Sequence, residues 1–106
     1  MDEEGNPKSH PKVLCYFKGT HAGPDGLAVD SHGRIYATLP ARGEIWRVNP
    51  KNGSMILIAK GMPGIASIAF GRGKFDHNTI YAASTKRGGG KIWKINVGVR
   101  GAALYK

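Results

Sequence analysis

One feature constrains the fold of this chain more than any other, an internal repeat of short hydrophobic segments. Three segments recur in the same order, offset by 41, 45 and 47 residues: Leu27-Ala28-Val29 as Ile68-Ala69-Phe70, Ile35-Tyr36-Ala37 as Ile80-Tyr81-Ala82, and Ile45-Trp46-Arg47-Val48-Asn49 as Ile92-Trp93-Lys94-Ile95-Asn96. A period of about 40–50 residues with four short strands per copy is typical of β-propeller blades. A small sandwich or open barrel, with strands that resemble one another by chance, fits three ordered matches less well.

The runs between turn signals predict an all-β chain. Gly accounts for 16 of 106 residues, which suits a turn-dense β protein and disfavours a helical bundle. No segment carries a hydrophobic stripe with a 3.6-residue period, so no long helix is predicted. The predicted strands are Val13–Phe17, Leu27–Asp30, Arg34–Thr38, Glu44–Asn49, Met55–Lys60, Ala66–Phe70, Thr79–Ser84, Lys91–Asn96 and, weakly, Ala102–Tyr105.

These runs predict a polar lead-in over residues 1–12 and a partial β-propeller domain over residues 13–106. Residues 26–60 and 66–105 each supply the strands of one four-stranded blade, and Val13–Phe17 would be the outer strand of a preceding blade. Propellers close with about four to eight blades, so two blades and a strand cannot form a ring. An open pair exposes the apolar faces that blades bury against their neighbours. We therefore expect a fragment of a longer propeller or, alternatively, self-association that covers these faces.

Charge, cysteine and hydropathy limit the classes of partner. Residues 1–44 sum to −1 and residues 45–106 to +10. The basic residues are spaced along alternating segments and form no basic-aromatic RNA motif, so we expect no nucleic-acid partner, with polyanion binding as a minor alternative. No apolar run approaches 18 residues and no signal peptide is visible, which predicts a cytoplasmic protein without a membrane partner. Cys15 is the single cysteine, which excludes an intramolecular disulfide, and we expect it to be buried in its strand.

Several stretches carry the sequence motifs of one known propeller family. They are residues 23–37 (GPDGLAVDSHGRIYA), 43–50 (GEIWRVNP), 65–71 (IASIAFG), 79–83 (TIYAA) and 89–99 (GGKIWKINVGV). Together they resemble the gluconolactonase and senescence-marker-protein (regucalcin) family of six-bladed propellers, over about residues 13–103. The resemblance implies the last third, roughly, of such a propeller. Strictosidine-synthase-like and NHL-type propellers contain similar sequence motifs.

The resemblance implies a function centred on Asp25. In that family a divalent metal at the top of the central channel is held by an acidic residue of the first blade, an Asn of a middle blade and the Asp of a Pro-Asp-Gly motif. The family's enzymes open sugar lactones or related cyclic esters. Asp25 of Pro24-Asp25-Gly26 matches that aspartate, so the resemblance implies a ligand for calcium or zinc and a general base. Pro-Asp-Gly is also a common turn sequence, and a role in the turn alone stays open.

The rest of the family's site has no counterpart in this sequence. The acidic ligand of the first blade, the middle-blade Asn and the substrate-binding residues of the early blades are missing, so we expect the isolated chain to be inactive. The incomplete set also favours a second class, a non-enzymatic propeller module that binds a protein or peptide on its rim. His21 could face the same rim as Asp25, and Ser67 could face the channel.

Overall fold

The computed structural model describes residues 11–19, 23–85 and 90–103, and these form seven β-strands without a helix. The strands are β1 Leu27–Val29, β2 Ile35–Leu39, β3 Glu44–Val48, β4 Met55–Ala59, β5 Ile65–Phe70, β6 Thr79–Ser84 and β7 Lys91–Asn96. The all-β prediction is confirmed, and each of these strands begins and ends within one residue of a predicted run. The described part of the chain accordingly contains no helix that could cross a membrane.

The strands form two antiparallel sheets that are adjacent blades of a partial propeller. Blade 1 has the strand order β1-β2-β3-β4, and blade 2 has the order β5-β6-β7. The inner strand β5 contacts both β1 and β2 of blade 1. The pairings of Tyr36 with Arg47 and of Tyr81 with Lys94 are equivalent in the two repeats. The sequence repeat is therefore a structural repeat of sheet registers as well.

The hydrophobic core lies in the seam between the blades. The ring of Tyr36 on β2 meets the ring of Phe70 on β5 edge to face, with centroids 5.5 Å apart. Such pairs stabilise a core beyond the area they bury. The buried cluster around them contains Ile45, Met62, Ile65, Ile80 and Ala82. Because each blade presents one face of its sheet to this seam, the opposite faces of both blades point away from it.

The turn between β1 and β2 is organised by Asp30, which is buried. Its carboxylate accepts hydrogen bonds from the backbone N–H groups of His32 and Arg34, from Arg34 Nε at 2.8 Å and from the hydroxyl of Tyr36 at 2.9 Å. Gly33 takes a φ of 80° in this turn, which glycine adopts without strain. The carboxylate thus ties the turn to the seam through Tyr36.

The segment Val13–Phe17 differs from its prediction as a strand. It pairs with no strand of the described residues and lies instead across the outer part of blade 1. Phe17 packs on Trp46 with ring centroids 6.1 Å apart, and the Leu14 carbonyl approaches Gly53 in the turn before β4. The predicted preceding blade, whose edge a strand here would need, is not among the described residues. The segment is held by its apolar side chains, and Cys15 within it is half-buried rather than buried.

The last described segment also departs from the prediction that it ends blade 2. Blade 2 has three strands in the described residues, and positions 104 and 105 of the predicted strand lie outside them. Arg100 O accepts from Ser31 N at 2.7 Å, Gly101 bridges to Asp30, and Ala102 N donates to Val29 O at 3.0 Å. The segment therefore adds to the edge of β1 in blade 1, a pairing between residues far apart in the sequence.

Candidate functional site

Asp25 lies immediately before the inner strand of blade 1. Its backbone N–H donates to the carbonyl oxygen of Thr38 at 3.0 Å, and the residue is exposed to solvent. This hydrogen bond extends the ladder between β1 and β2 by one step, and it fixes the backbone position of Asp25 at the end of the blade. The structure thus places Asp25 at one end of the inner strand, opposite the end at which Asp30 is buried.

The residue after Asp25 is fixed by a contact between the two blades. The hydroxyl of Thr38, fully buried on β2, accepts the N–H of Gly26 at 2.7 Å and donates to the carbonyl of Ala66 at 2.9 Å. A Cβ on Gly26 would lie 2.0 Å from that same carbonyl oxygen, a distance that no side chain tolerates. The glycine of the Pro-Asp-Gly motif is therefore required by the approach of β1 to β5. This requirement goes beyond the needs of a turn.

A groove of about 470 Å³ runs along the inner strands. Its described lining is apolar apart from Arg72 and consists of Leu27, Ala28, Val29, Ile68, Ala69, Phe70, Arg72, Ala102 and Ala103. Ala102 and Ala103 bound the groove at the end away from Asp25, where Arg72 Nη2 donates to Ala102 O at 2.7 Å. The two inner strands β1 and β5 contact each other along this groove.

The described residues do not compose a metal site by themselves. Across residues 11–19, 23–85 and 90–103 there is no group of three or more His, Cys, Asp or Glu side chains that could hold an ion. Glu44, at the same end of blade 1 as Asp25, accepts from Trp46 Nε1 at 3.0 Å and lies beside Arg42. Within these ranges Asp25 is therefore not part of a metal-binding group, and one carboxylate alone binds a divalent cation weakly.

Neither Ser67, the other described residue singled out from the sequence, nor His77 joins Asp25. Position 21 lies outside the described residues. Ser67 is on the inner strand β5 but lines a shallow apolar cavity with Tyr81 and Ile92, on the face of blade 2 turned away from the seam. His77 lies in a cleft of about 400 Å³ with Arg72 and Arg100, where its Nδ1 is 3.3 Å from Arg100 Nη2. That cleft belongs to the end of the blades opposite Asp25.

Sequence reasoning missed the two polar side chains that organise the blade, Thr38 and Asp30. Burial raises the pKa of Asp30, but the hydrogen bonds from Arg34, Tyr36 and His32 outweigh it and hold the pKa below its usual value. Burial and the neighbouring carboxylate raise the pKa of Tyr36. The spacing from Asp30 to Gly33 and Arg34 was a local signal for this turn. No local signal marks Thr38, because its partner Ala66 comes from the next repeat.

The comparison with known families agrees with this architecture. The family model described as the SMP-30/Gluconolactonase/LRE-like region matches residues 1–86. This chain belongs to that family. The resemblance drawn from the sequence is thereby confirmed at the level of the family.

Two further similarities show how much of a related protein this chain covers. An uncharacterized protein from Sulfolobus acidocaldarius is 28% identical over 106 residues, which is 99% of this chain and 38% of the relative. The PQQ-bound form of the aldose sugar dehydrogenase from Streptomyces coelicolor matches with a TM-score of 0.63 and 18% identity, over 87% of this chain and 30% of that structure. The latter likeness concerns the propeller fold alone. The chain therefore spans about a third of the length of these two proteins.

Proposed function

We propose that this chain contributes Asp25 to the site of a gluconolactonase-type hydrolase, which opens sugar lactones or related cyclic esters. The observation that carries the proposal is the contact of Gly26, Thr38 and Ala66, which holds the Pro-Asp-Gly motif rigidly at the end of the inner strand. A site carboxylate has to be held in place by such packing. Membership of the family supports the class of reaction.

In this reaction the proposed role of Asp25 is that of a general base. Its carboxylate would accept a proton from the water that attacks the lactone carbonyl carbon. The ring C–O bond then breaks, Asp25 returns the proton to the leaving ring oxygen, and the products are a hydroxyl group and a carboxylic acid that ionises in water. We also propose a divalent cation, calcium or zinc, as the cofactor of the complete site, with Asp25 as one ligand. The remaining ligands are not among the described residues, so no step through the cation is assigned to this chain.

The apolar groove sets a limit on what the chain does alone. Its described lining offers Arg72 as the only charged side chain, whereas sugar recognition needs several placed polar groups. Substrate contacts must therefore come from outside the described residues, and we propose that the isolated chain has little or no turnover. The second candidate, a non-enzymatic interaction module, is favoured by the same shortage of polar groups.

The test combines metal binding with turnover. The 106-residue chain is titrated with Ca²⁺ and, separately, Zn²⁺ by calorimetry, and its hydrolysis of a glucono-lactone is followed by pH-stat. We expect weak binding, with a Kd of about 1 mM or higher, that is lost in Asp25→Ala. Glu44→Gln is the matched control, because it removes a carboxylate at the same end of blade 1 and keeps an acceptor for Trp46. The proposal fails if the chain shows neither binding nor turnover and Asp25→Ala behaves as the parent does.

A further inference from the structure

Two sheet faces of this chain point away from the seam and expose apolar side chains. The leading face is on blade 1, and its members are Leu27, Val29, Ile35, Ala37, Trp46 and Val48. Leu27 and Val29 are exposed, whereas Ala37 and Val48 are already buried beside the segment Val13–Phe17. The trailing face is on blade 2, and its members are Ser67, Ala69, Tyr81, Ala83, Ile92 and Lys94. Leu27 is 64% exposed and Ile92 is 77% exposed. Soluble proteins seldom leave contiguous apolar faces open, and such faces mark sites of association.

The sequence repeat relates these two faces to the seam that is already buried. On one side, Ala69, Tyr81 and Ile92 of the trailing face are the repeat equivalents of residues that blade 1 buries in the seam, Ala28, Tyr36 and Ile45. On the other side, the leading-face residues Leu27, Val29, Ile35 and Ala37 are the equivalents of Ile68, Phe70, Ile80 and Ala82, which blade 2 buries there. Each open face therefore carries the pattern that the other open face needs as its partner.

We propose that the trailing face of one copy of this chain docks on the open inner part of the leading face of a second copy, so that the inner strands meet as they do in the seam inside each chain. The contact joins two different surfaces, so it repeats from copy to copy and closes where the rotation allows. Each chain brings two blades, and propellers close with about four to eight. The closed assembly therefore contains two, three or four copies.

The segment Val13–Phe17 leaves room for this contact. It covers the outer part of the leading face at Trp46 and beside Gly53, and it lines a cavity with Ile35, Ala37 and Val48 in the middle of that face. The innermost part at Leu27 and Val29 stays open. Blade 2 has three strands in the described residues, one fewer than blade 1, and the outer edge of β7 has no strand partner there. In the docked pair the segment of the second copy lies beside that edge, where blade 1 has its own fourth strand.

Among the described residues, nothing covers the whole of the trailing face. Phe75, from the turn between β5 and β6, packs against the ring of Tyr81 with centroids 5.4 Å apart. Phe75 itself stays largely exposed, as does Ile92 on the neighbouring strand. The turn thus covers one side of Tyr81 and adds apolar surface to this face, which a second copy would bury.

The first test is the mass of the 106-residue chain in solution, by sedimentation velocity and light scattering at about 1–100 µM. We expect a single species of about two, three or four times the 11.4 kDa chain mass. A monomer across this range overturns the proposal. An open series of sizes without a closed species overturns it as well.

The second test uses one charged substitution on each face. Ile92→Asp places a charge on the trailing face, and Leu27→Asp places one on the leading face. Each variant alone should have the monomer mass, because self-association needs both faces. Mixed in equal amounts, they should form a heterodimer of about 23 kDa, since one variant keeps the leading face and the other the trailing face. Failure to pair on mixing overturns the head-to-tail arrangement.

Ile56→Asp is the matched control. Ile56 is 53% exposed on the outermost strand of blade 1 and belongs to neither face, so this variant should keep the assembly of the parent. Circular dichroism melts of all three variants separate dissociation from unfolding. Persistence of the full assembly in folded Ile92→Asp would also overturn the proposal. None of these outcomes depends on Asp25, so the proposed function is tested separately.

Discussion

The hydroxyl of Thr38 donates a 2.9 Å hydrogen bond to the carbonyl of Ala66 in the neighbouring blade. The same oxygen accepts the N–H of Gly26 at 2.7 Å, next to Asp25. One buried side chain thus satisfies a backbone donor of its own blade and a backbone acceptor of the next. Because water cannot reach the fully buried Thr38, nothing else can replace either bond. The placement of Asp25 therefore depends on how the two blades meet.

Thr38→Val should destabilise the chain by about 1–3 kcal/mol, because it leaves the Gly26 N–H and the Ala66 carbonyl unsatisfied while nearly conserving volume. Urea unfolding followed by tryptophan fluorescence measures this change in the free energy of unfolding. Thr38→Ser keeps the hydroxyl and is the control, with a smaller expected loss. Equal stability of Thr38→Val and the parent would show that this hydroxyl does not hold the blades together.

Gly26→Ala should be more damaging than an ordinary glycine substitution. Its Cβ would lie 2.0 Å from the backbone oxygen of Ala66, so β1 and β5 would have to separate, at a cost of about 3 kcal/mol or more. Gly23→Ala is the matched control, because a Cβ there meets nothing within 4 Å. Thermal melts of both variants provide the comparison. Similar melting temperatures for the two would contradict the close approach of the inner strands.

Much of this architecture could be predicted from the sequence, because β-strands carry their signal locally. Alternation and turn residues located all seven strands, and the ordered repeat identified the blades. The side chains of Tyr36 and Tyr81 illustrate the limit of this information. They are equivalent in sequence, yet Tyr36 is buried against Phe70 of blade 2, whereas Tyr81 meets a turn of its own blade. The difference arises from which neighbour each blade has.

Two further segments show the same limit of local sequence information. Val13–Phe17 has the composition of a strand, but a strand forms only where another strand offers its edge. No strand of the described residues does so here. Gly101 and Ala102 pair with β1 across more than 70 residues of sequence, which no local pattern encodes. At the site, Asp25 followed from the resemblance, whereas Thr38 requires knowledge of where Ala66 lies.

Asp30 should make the stability of the chain depend on acid pH. Its pKa is lowered in the folded chain, so its contribution is fully present above the unfolded value of about 3.9 and is lost as pH falls through the folded pKa. Asp30→Asn should lose about 2 kcal/mol at pH 7, since hydrogen bonds to a charged acceptor are replaced by weaker ones. Free energies of unfolding between pH 2 and 7 should fall less steeply for this variant than for the parent.

Asp76 provides the comparison for that acid profile. Asp76 lies in the turn between β5 and β6, which is equivalent to the turn of Asp30 in blade 1. Its carboxylate accepts hydrogen bonds from Asn78 N at 3.0 Å and from Thr79 Oγ1 at 2.9 Å, but the residue is exposed. Solvent screens its interactions, so Asp76→Asn should change both the stability and its pH slope less than Asp30→Asn does. An acid slope in Asp30→Asn as steep as that of the parent would assign the acid sensitivity to other groups.

Arg72→Ala should weaken the pairing of Ala102 with β1 without unfolding the blades. Its guanidinium donates to Ala102 O at 2.7 Å, while Ala102 N donates to Val29 O. Removing this exposed contact should cost less than about 0.5 kcal/mol of global stability. It should nevertheless speed hydrogen exchange at the Ala102 amide severalfold, because that pairing opens locally. Lys60→Ala removes an exposed positive charge elsewhere and should leave this exchange rate unchanged. Unaltered protection of Ala102 in Arg72→Ala would mean that the pairing with β1 alone holds the segment.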